Sequence, residues 1–191
     1  KITNPKIFFP QNSDSLNEVI RLEQIAINEI KDSIDKNQNK IACLILEPIQ
    51  GEGGDNHFRN EFIKELKTLS IENDFLLIFD EVQTGVCITG KMWAHQYFNV
   101  KPDIISFGKK SQVCGILCGN RIHEVENNVF VESSRINSTF GGSLVDMVRF
   151  KIILEVIEKQ NLIDNVIKTG EYLQDELNDL ATTFPGLVSN V

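Results

Sequence analysis

Apolar positions along this chain fall into two kinds of pattern. From about Ser13 to Ile34, Leu16, Val19, Ile20, Ile27, Ile30 and Ile34 recur at helical spacing. Phe58, Phe62, Ile63, Leu66 and Leu69 do the same from about His57 to Ser70. Between and after them lie short continuous apolar runs, Ile41–Leu46, Phe75–Phe79, Asp103–Phe107 and Val113–Cys118. Runs of this length read as buried strands, and Ile41–Leu46 reads as an inner parallel strand with Cys43 in the core. Strand, helix, strand in this order predicts a right-handed βαβ unit and an α/β fold with a mostly parallel sheet.

Other segments complete the outline. Residues 1–11 carry Pro5 and Pro10 and predict an extended connection. Residues 47–54 are glycine-rich and predict a loop, with Pro48 stopping regular pairing. Trp93, Tyr97 and Phe98 lead into a short helical turn, and Val129–Glu132 reads as a short strand. A helix is expected from Ser143, where Ser143 and Asp146 have capping-box spacing. Its apolar residues surround much of the circumference, so it is expected to be buried, covered by a partner or by a missing part of the chain. Asn161 marks a boundary before a last amphipathic helix, roughly Leu162 to Leu180.

Composition narrows the options. The chain has 191 residues, 41% hydrophobic and 24% charged, with a formal net charge of −8. That is globular composition, and the acidic balance disfavours nucleic-acid binding. No run approaches the length that spans a bilayer, so no membrane role is expected. Four cysteines and three histidines are scattered without zinc-ligand spacing, so no metal site is expected, and a reducing cytoplasm is the simpler setting.

Chemistry concentrates at strand ends. Asp80 follows F-L-L-I-F, where an unpaired charge is costly. It could face a protonated heterocyclic nitrogen and keep a ring electron-accepting, or make a local cap or an ion pair. Lys109 follows Ser106-Phe107-Gly108 and could act as a nucleophilic amine; Lys110 beside it is a rival, and both could be plain solvated lysines. Gln83 and Val82 lie near enough to Asp80 in sequence to touch the same ring. Thr139, before Phe140-Gly141-Gly142, is a candidate phosphate contact.

Taken together, E-P-I-Q-G-E-G-G (47–54), L-L-I-F-D-E-V-Q-T-G (76–85), T-G (89–90), P-D-I-I-S-F-G-K-K (102–110) and N-S-T-F-G-G (137–142) resemble the class III aminotransferases, pyridoxal-phosphate enzymes of fold type I. H-F-R-N-E-F, F-G-K-K-S-Q-V-C-G and S-S-R-I-N-S-T-F-G-G are similar to the lysine ε-aminotransferase branch. The resemblance covers almost the whole chain. It implies a three-layer αβα cofactor-binding large domain over residues 1–160, truncated, with 161–191 leading toward a small domain.

The resemblance also implies roles. Lys109 would carry the Schiff base to pyridoxal phosphate, Asp80 would pair with the pyridine nitrogen, Gln83 with the phenolic oxygen, and Val82 would lie against the ring. Thr139 would bind phosphate in the neighbouring site of a homodimer. Glu52 would mask the arginine that binds an α-carboxylate, letting the distal amine of L-lysine react, and Asn137 would line the same region. The implied reaction is ping-pong, with 2-oxoglutarate as acceptor and the 6-semialdehyde and glutamate as products. Two features depart from the wider family. Gly85–Gly90 lacks the arginine of G-x-x-R-T-G, which fits the lysine branch. The phosphate-binding turn, ring-stacking aromatic and carboxylate-binding arginine are not located, so the isolated chain is expected to be inactive. An ornithine or 4-aminobutyrate aminotransferase and a non-catalytic interaction domain stand as alternatives.

Overall fold

The computed structural model describes residues 1–136, 139, 141–188 and 191. Helix α1 (Ser13–Lys36) starts at Asn12, whose side chain accepts from the backbone of Asp14 and Ser15 while Ser15 answers on the Asn12 backbone. Strand β1 (Cys43–Leu46) leads to a small antiparallel ribbon, β2 (Ile49–Gln50) on β3 (Asn56–His57). Helix α2 (Asn60–Glu72), β4 (Leu76–Asp80), the short α3 (His95–Phe98), β5 (Ile104–Phe107) and β6 (Gly115–Cys118) follow. Helices α4 (Leu144–Lys159) and α5 (Leu162–Thr183) end the order, separated by Asn161 in the left-handed region.

The main sheet runs β1-β4-β5-β6, parallel across the first three strands and antiparallel at β6. Period-two alternation sorts β4: Leu77 and Phe79 are fully buried, while Leu76, Ile78 and Asp80 point to the other, half-buried face. The buried face packs on Ala26, Ile27 and Ile30 of α1 and on Phe62, Ile63, Leu66 and Leu69 of α2. A second cluster joins Val86 and Cys87 to Ile157 of α4, with Trp93, Leu162 and Ile163 against it. The Phe107 ring stacks on Phe150 of α4 at 5.7 Å between centroids.

Asp103 clamps the sheet at the amino end of β5. It is buried and accepts from Lys67 Nζ on α2 at 2.8 Å and from the Leu77 backbone N–H of β4 at 2.8 Å. Arg121, from the turn after β6, comes within 3.4 Å and also donates to the Phe75 carbonyl. One carboxylate thus holds α2, β4, β5 and the segment after β6.

Several expectations are corrected. Strand β1 is parallel but lies at the sheet edge, and Cys43 is exposed and Ile45 is 61% exposed, because no described strand pairs on its outer side. Residues 47–54 are not a simple loop, since Ile49–Gln50 within them pairs as β2 with β3 just after the glycines. Val129–Glu132 is a turn, held by the Asn128 side chain on Phe130 N–H and by the Asn128 carbonyl on the next two N–H groups. Ser143 makes no side-chain cap, and Asp146 instead pairs with Arg149 at 3.2 Å. Within this chain Leu144, Val145, Met147, Val148 and Ile152 of α4 are exposed, so the cover expected for this helix is not supplied by the described residues.

Removing one partner of a buried ion pair strands the others, a cost of about 3–5 kcal/mol. Asp103→Ala in the full-length protein should lower unfolding stability by that order in chemical denaturation, and Lys67→Ala by less, because Leu77 N–H and Arg121 keep their acceptor.

Candidate active site

The carboxyl ends of β4 and β5 lie side by side, with Asp80 paired in register with Ser106. The chain leaves β4 through Glu81, whose N–H donates to the Ser106 carbonyl at 2.9 Å. Glu81 itself is turned inward and buried. Its carboxylate accepts from the backbone N–H groups of Ala94 at 2.6 Å and His95 at 2.9 Å and from the Thr84 hydroxyl. Sequence reasoning passed over this acid. It holds residues 84–94 against the sheet and leaves Asp80 as the acid facing outward.

Asp80 Oδ1 accepts from Val82 N–H at 3.0 Å, so the local cap foreseen as one option is present. Its second oxygen takes no hydrogen bond among the described residues. The Val82 side chain lies over Gly108: a Cβ there would sit 3.6 Å from one Val82 methyl and 3.1 Å from Cys114 Sγ. Glycine therefore lets Val82 and Cys114 close on the backbone just before the two lysines.

Both lysines reach Gln83. Lys109 Nζ donates to the Gln83 side-chain oxygen, and Lys110 Nζ to the Gln83 carbonyl. They differ in surroundings. Lys109 is exposed and sits at φ 52, a left-handed conformation that costs a non-glycine residue about 1–2 kcal/mol. Lys110 is half-buried, and burial, followed by the Lys109 charge, holds its amine below the ordinary lysine value.

The glycine-rich turn joins the same place. A Cβ on Gly51 would fall 2.9 Å from Gln83 Cγ, so the turn packs directly on Gln83. Glu52 follows on this turn and is exposed. Asp80, Val82, Gln83, Lys109 and the Glu52 turn are thus gathered at the carboxyl ends of β4 and β5. Thr139 is exposed, and no hydrogen bond joins it to this group among the described residues. Asn137 lies outside the described residues. No cluster of three or more His, Cys, Asp or Glu among the described residues is arranged to hold a metal.

The aminotransferase class-III family model matches residues 2–191. The chain belongs to the class-III aminotransferase family. The L-lysine-epsilon aminotransferase of Mycobacterium tuberculosis is 48% identical over 186 residues, 96% of this chain and 41% of that protein. The 4-aminobutyrate aminotransferase of Dictyostelium discoideum is 35% identical over 191 residues, 99% of this chain and 37% of that protein. A solved structure of lysine aminotransferase from M. tuberculosis in the internal aldimine form matches with a TM-score of 0.89 at 47% identity, covering 96% of this chain and 42% of that one. The chain spans about two fifths of the length of the curated relatives it matches. The shared architecture is the three-layer αβα fold of type I with a largely parallel central sheet, of which this chain carries part.

The family cofactor is pyridoxal phosphate, and the residues present fit it. A half-buried carboxylate with one oxygen that takes no hydrogen bond among the described residues suits a protonated ring nitrogen. Val82 over Gly108 offers an apolar surface, and Gln83 and two amines stand beside it.

A lysine amine held below its ordinary value binds fewer protons in the native state than in the unfolded chain. Its contribution to stability therefore rises as pH climbs through the lowered value toward 10.5. Across neutral to alkaline pH, the thermal midpoint of Lys110→Met in the full-length protein should exceed that of the unsubstituted protein most at neutral pH. The gap should narrow as pH rises; a constant gap would mean that Lys110 titrates as a free lysine.

Proposed function

We propose that the full-length protein is a pyridoxal-phosphate-dependent lysine ε-aminotransferase, moving the terminal amino group of L-lysine to 2-oxoglutarate and working as a homodimer in the cytoplasm. The observation that carries this reading is the gathering of Asp80, Gln83, Lys109 and the Glu52 turn at the carboxyl ends of β4 and β5, in a chain 48% identical to an L-lysine-epsilon aminotransferase. Residues 1–160 form part of the cofactor-binding large domain, and 161–191 lead toward a small domain. The dimer reading is supported by the open apolar residues of α4. The cytoplasmic reading is supported by four free cysteines; no helix among the described residues is long and apolar enough to cross a membrane.

When bound, pyridoxal phosphate supplies an aldehyde for amine exchange and a protonated ring that accepts an electron pair. Asp80 would keep the ring nitrogen protonated, with Val82 N–H holding its first oxygen. Gln83 would hydrogen-bond the phenolic oxygen, and Val82 would pack on the ring face. Thr139 of the other subunit would bind the phosphate. Lys109 would hold the cofactor through its Nζ, and once free that amine would carry a proton between the substrate Cε and the cofactor carbon, as general base and then as general acid. The left-handed backbone at Lys109 supports its choice over Lys110. Glu52 would cover the arginine that otherwise draws in an α-carboxylate, and Asn137 is assigned to the same substrate region.

The full-length protein should gain a visible absorption band on adding pyridoxal phosphate. That band should vanish in Lys109→Ala and persist in Lys110→Ala, and Lys109→Ala should lose at least about 10²–10⁴-fold in turnover. A band that follows Lys110 would reverse the assignment. L-lysine should be the preferred donor over ornithine and 4-aminobutyrate; preference for 4-aminobutyrate would instead favour the second group of relatives.

A further inference from the structure

The Glu52 turn is tied at both ends. On one side Gly51 rests on Gln83, and through it on Lys109. On the other side stands Asn56, which is 6% exposed and sits directly across the ribbon from Gln50. Asn56 Nδ2 donates to Gln50 Oε1 at 2.8 Å and to the Gly53 carbonyl at 2.9 Å. Those two acceptors flank Glu52 in sequence. Gln50 Oε1 also accepts from Asn4 Nδ2 at 2.8 Å. The N-terminal strap that carries Asn4 is itself fastened: Thr3 donates to Glu29 of α1 through its backbone N–H and its hydroxyl, and Ile7 N–H donates to the His57 carbonyl. Inside the turn, Gly54 and Asp55 N–H groups both donate to the Gly51 carbonyl.

A buried amide whose NH₂ bridges both flanks of an exposed carboxylate holds the path of the backbone beneath it. We infer that Asn56 is the positioning residue that sets the Glu52 turn, and through Glu52 the choice between a terminal amine and an α-carboxylate substrate. This rests on the role of Glu52 given above. Asn56 touches neither substrate nor cofactor. It acts by keeping Glu52 over the arginine in the lysine half-reaction, where a displacement of about 1 Å can cost up to about 10²-fold. The half-reaction with 2-oxoglutarate, in which Glu52 must leave the arginine, does not need that hold.

The test compares the two half-reactions in full-length Asn56→Leu, Glu52→Ala and the double variant. In Asn56→Leu, kcat/KM for L-lysine should fall at least about 10-fold relative to that for 2-oxoglutarate, a shift well beyond what independent sites would give. The double variant should show the same ratio as Glu52→Ala alone. Without cofactor or substrate, the Gly54 and Asp55 amides of Asn56→Leu should exchange with solvent at least about 10-fold faster. The exposed outer tie gives a milder variant, Asn4→Ala, which should move the ratio in the same direction by less.

If Glu52→Ala shifts the ratio while neither Asn56→Leu nor Asn4→Ala does, the positioning role is wrong and the Glu52 reading stands. An equal fall in both half-reactions, or full additivity in the double variant, also overturns the positioning role. If Glu52→Ala leaves the ratio unchanged, the reading of Glu52 fails and takes this inference with it. Should Asn56→Leu not fold, Asn4→Ala and its double variant with Glu52→Ala decide by the same ratios.

Discussion

The pairing of β4 with β5 is the constraint on which the rest depends. It is closed at one end by a carboxylate and at the other by a backbone bond. Asp103 receives Lys67, Leu77 N–H and Arg121 at the amino end, and Glu81 N–H reaches the Ser106 carbonyl at the carboxyl end. Between them the register places Asp80 beside Ser106, three residues before Lys109. A slip of one residue would turn Asp80 to the buried face that Leu77 and Phe79 occupy, where an unpaired carboxylate is costly. The position of the acid relative to the amine is therefore a product of sheet register.

Two adjacent acids divide the work because the strand alternates. Asp80 falls on the half-buried face and keeps one oxygen without a partner among the described residues. Glu81 turns inward and satisfies its carboxylate on Ala94 N–H, His95 N–H and Thr84. The long connection between β4 and β5 is held by Glu81, which leaves Asp80 free for chemistry. A similar division holds for the lysines: both meet Gln83, but Lys110 is half-buried with its amine below the ordinary value, while Lys109 stands exposed on left-handed backbone.

The same site is completed from a distance in sequence. Gly51 packs on Gln83, and the strap around Asn4 reaches the ribbon through Gln50. The candidate site is thereby coupled to α1, because Thr3 is fastened to Glu29. Glu29 is held below the ordinary carboxylate value chiefly by the Thr3 backbone donor. In this way the N-terminal residues brace a turn that lies some fifty residues later.

Local physics made much of this legible in the sequence. Short apolar runs of four to six residues bounded by polar and turn residues read as strands rather than helices, and so β1, β4, β5 and β6, with Asp80 and Lys109 at or just past strand ends, were readable. The helical periods of α1 and α2, the break at Asn161 and the motifs of the class III aminotransferases were readable for the same reason: each depends on neighbours in sequence. What depends on neighbours in space was not. The ribbon of Ile49–Gln50 on Asn56–His57 needs a cross-strand partner that no window reveals. Val129–Glu132 has strand-like residues but yields to the Asn128 side chain. Ser143 and Asp146 have the spacing of a cap, yet Arg149 takes the aspartate. Asp103 and Glu81 look in sequence like any strand-end acids, and only packing showed that their bonds close the sheet. The sequence alone determined which residues could do chemistry, because that follows from side-chain type at strand ends. Tertiary structure decided which of them face outward, which are consumed in holding the fold, and what braces the Glu52 turn, because burial and hydrogen bonding are properties of contacts made across the fold.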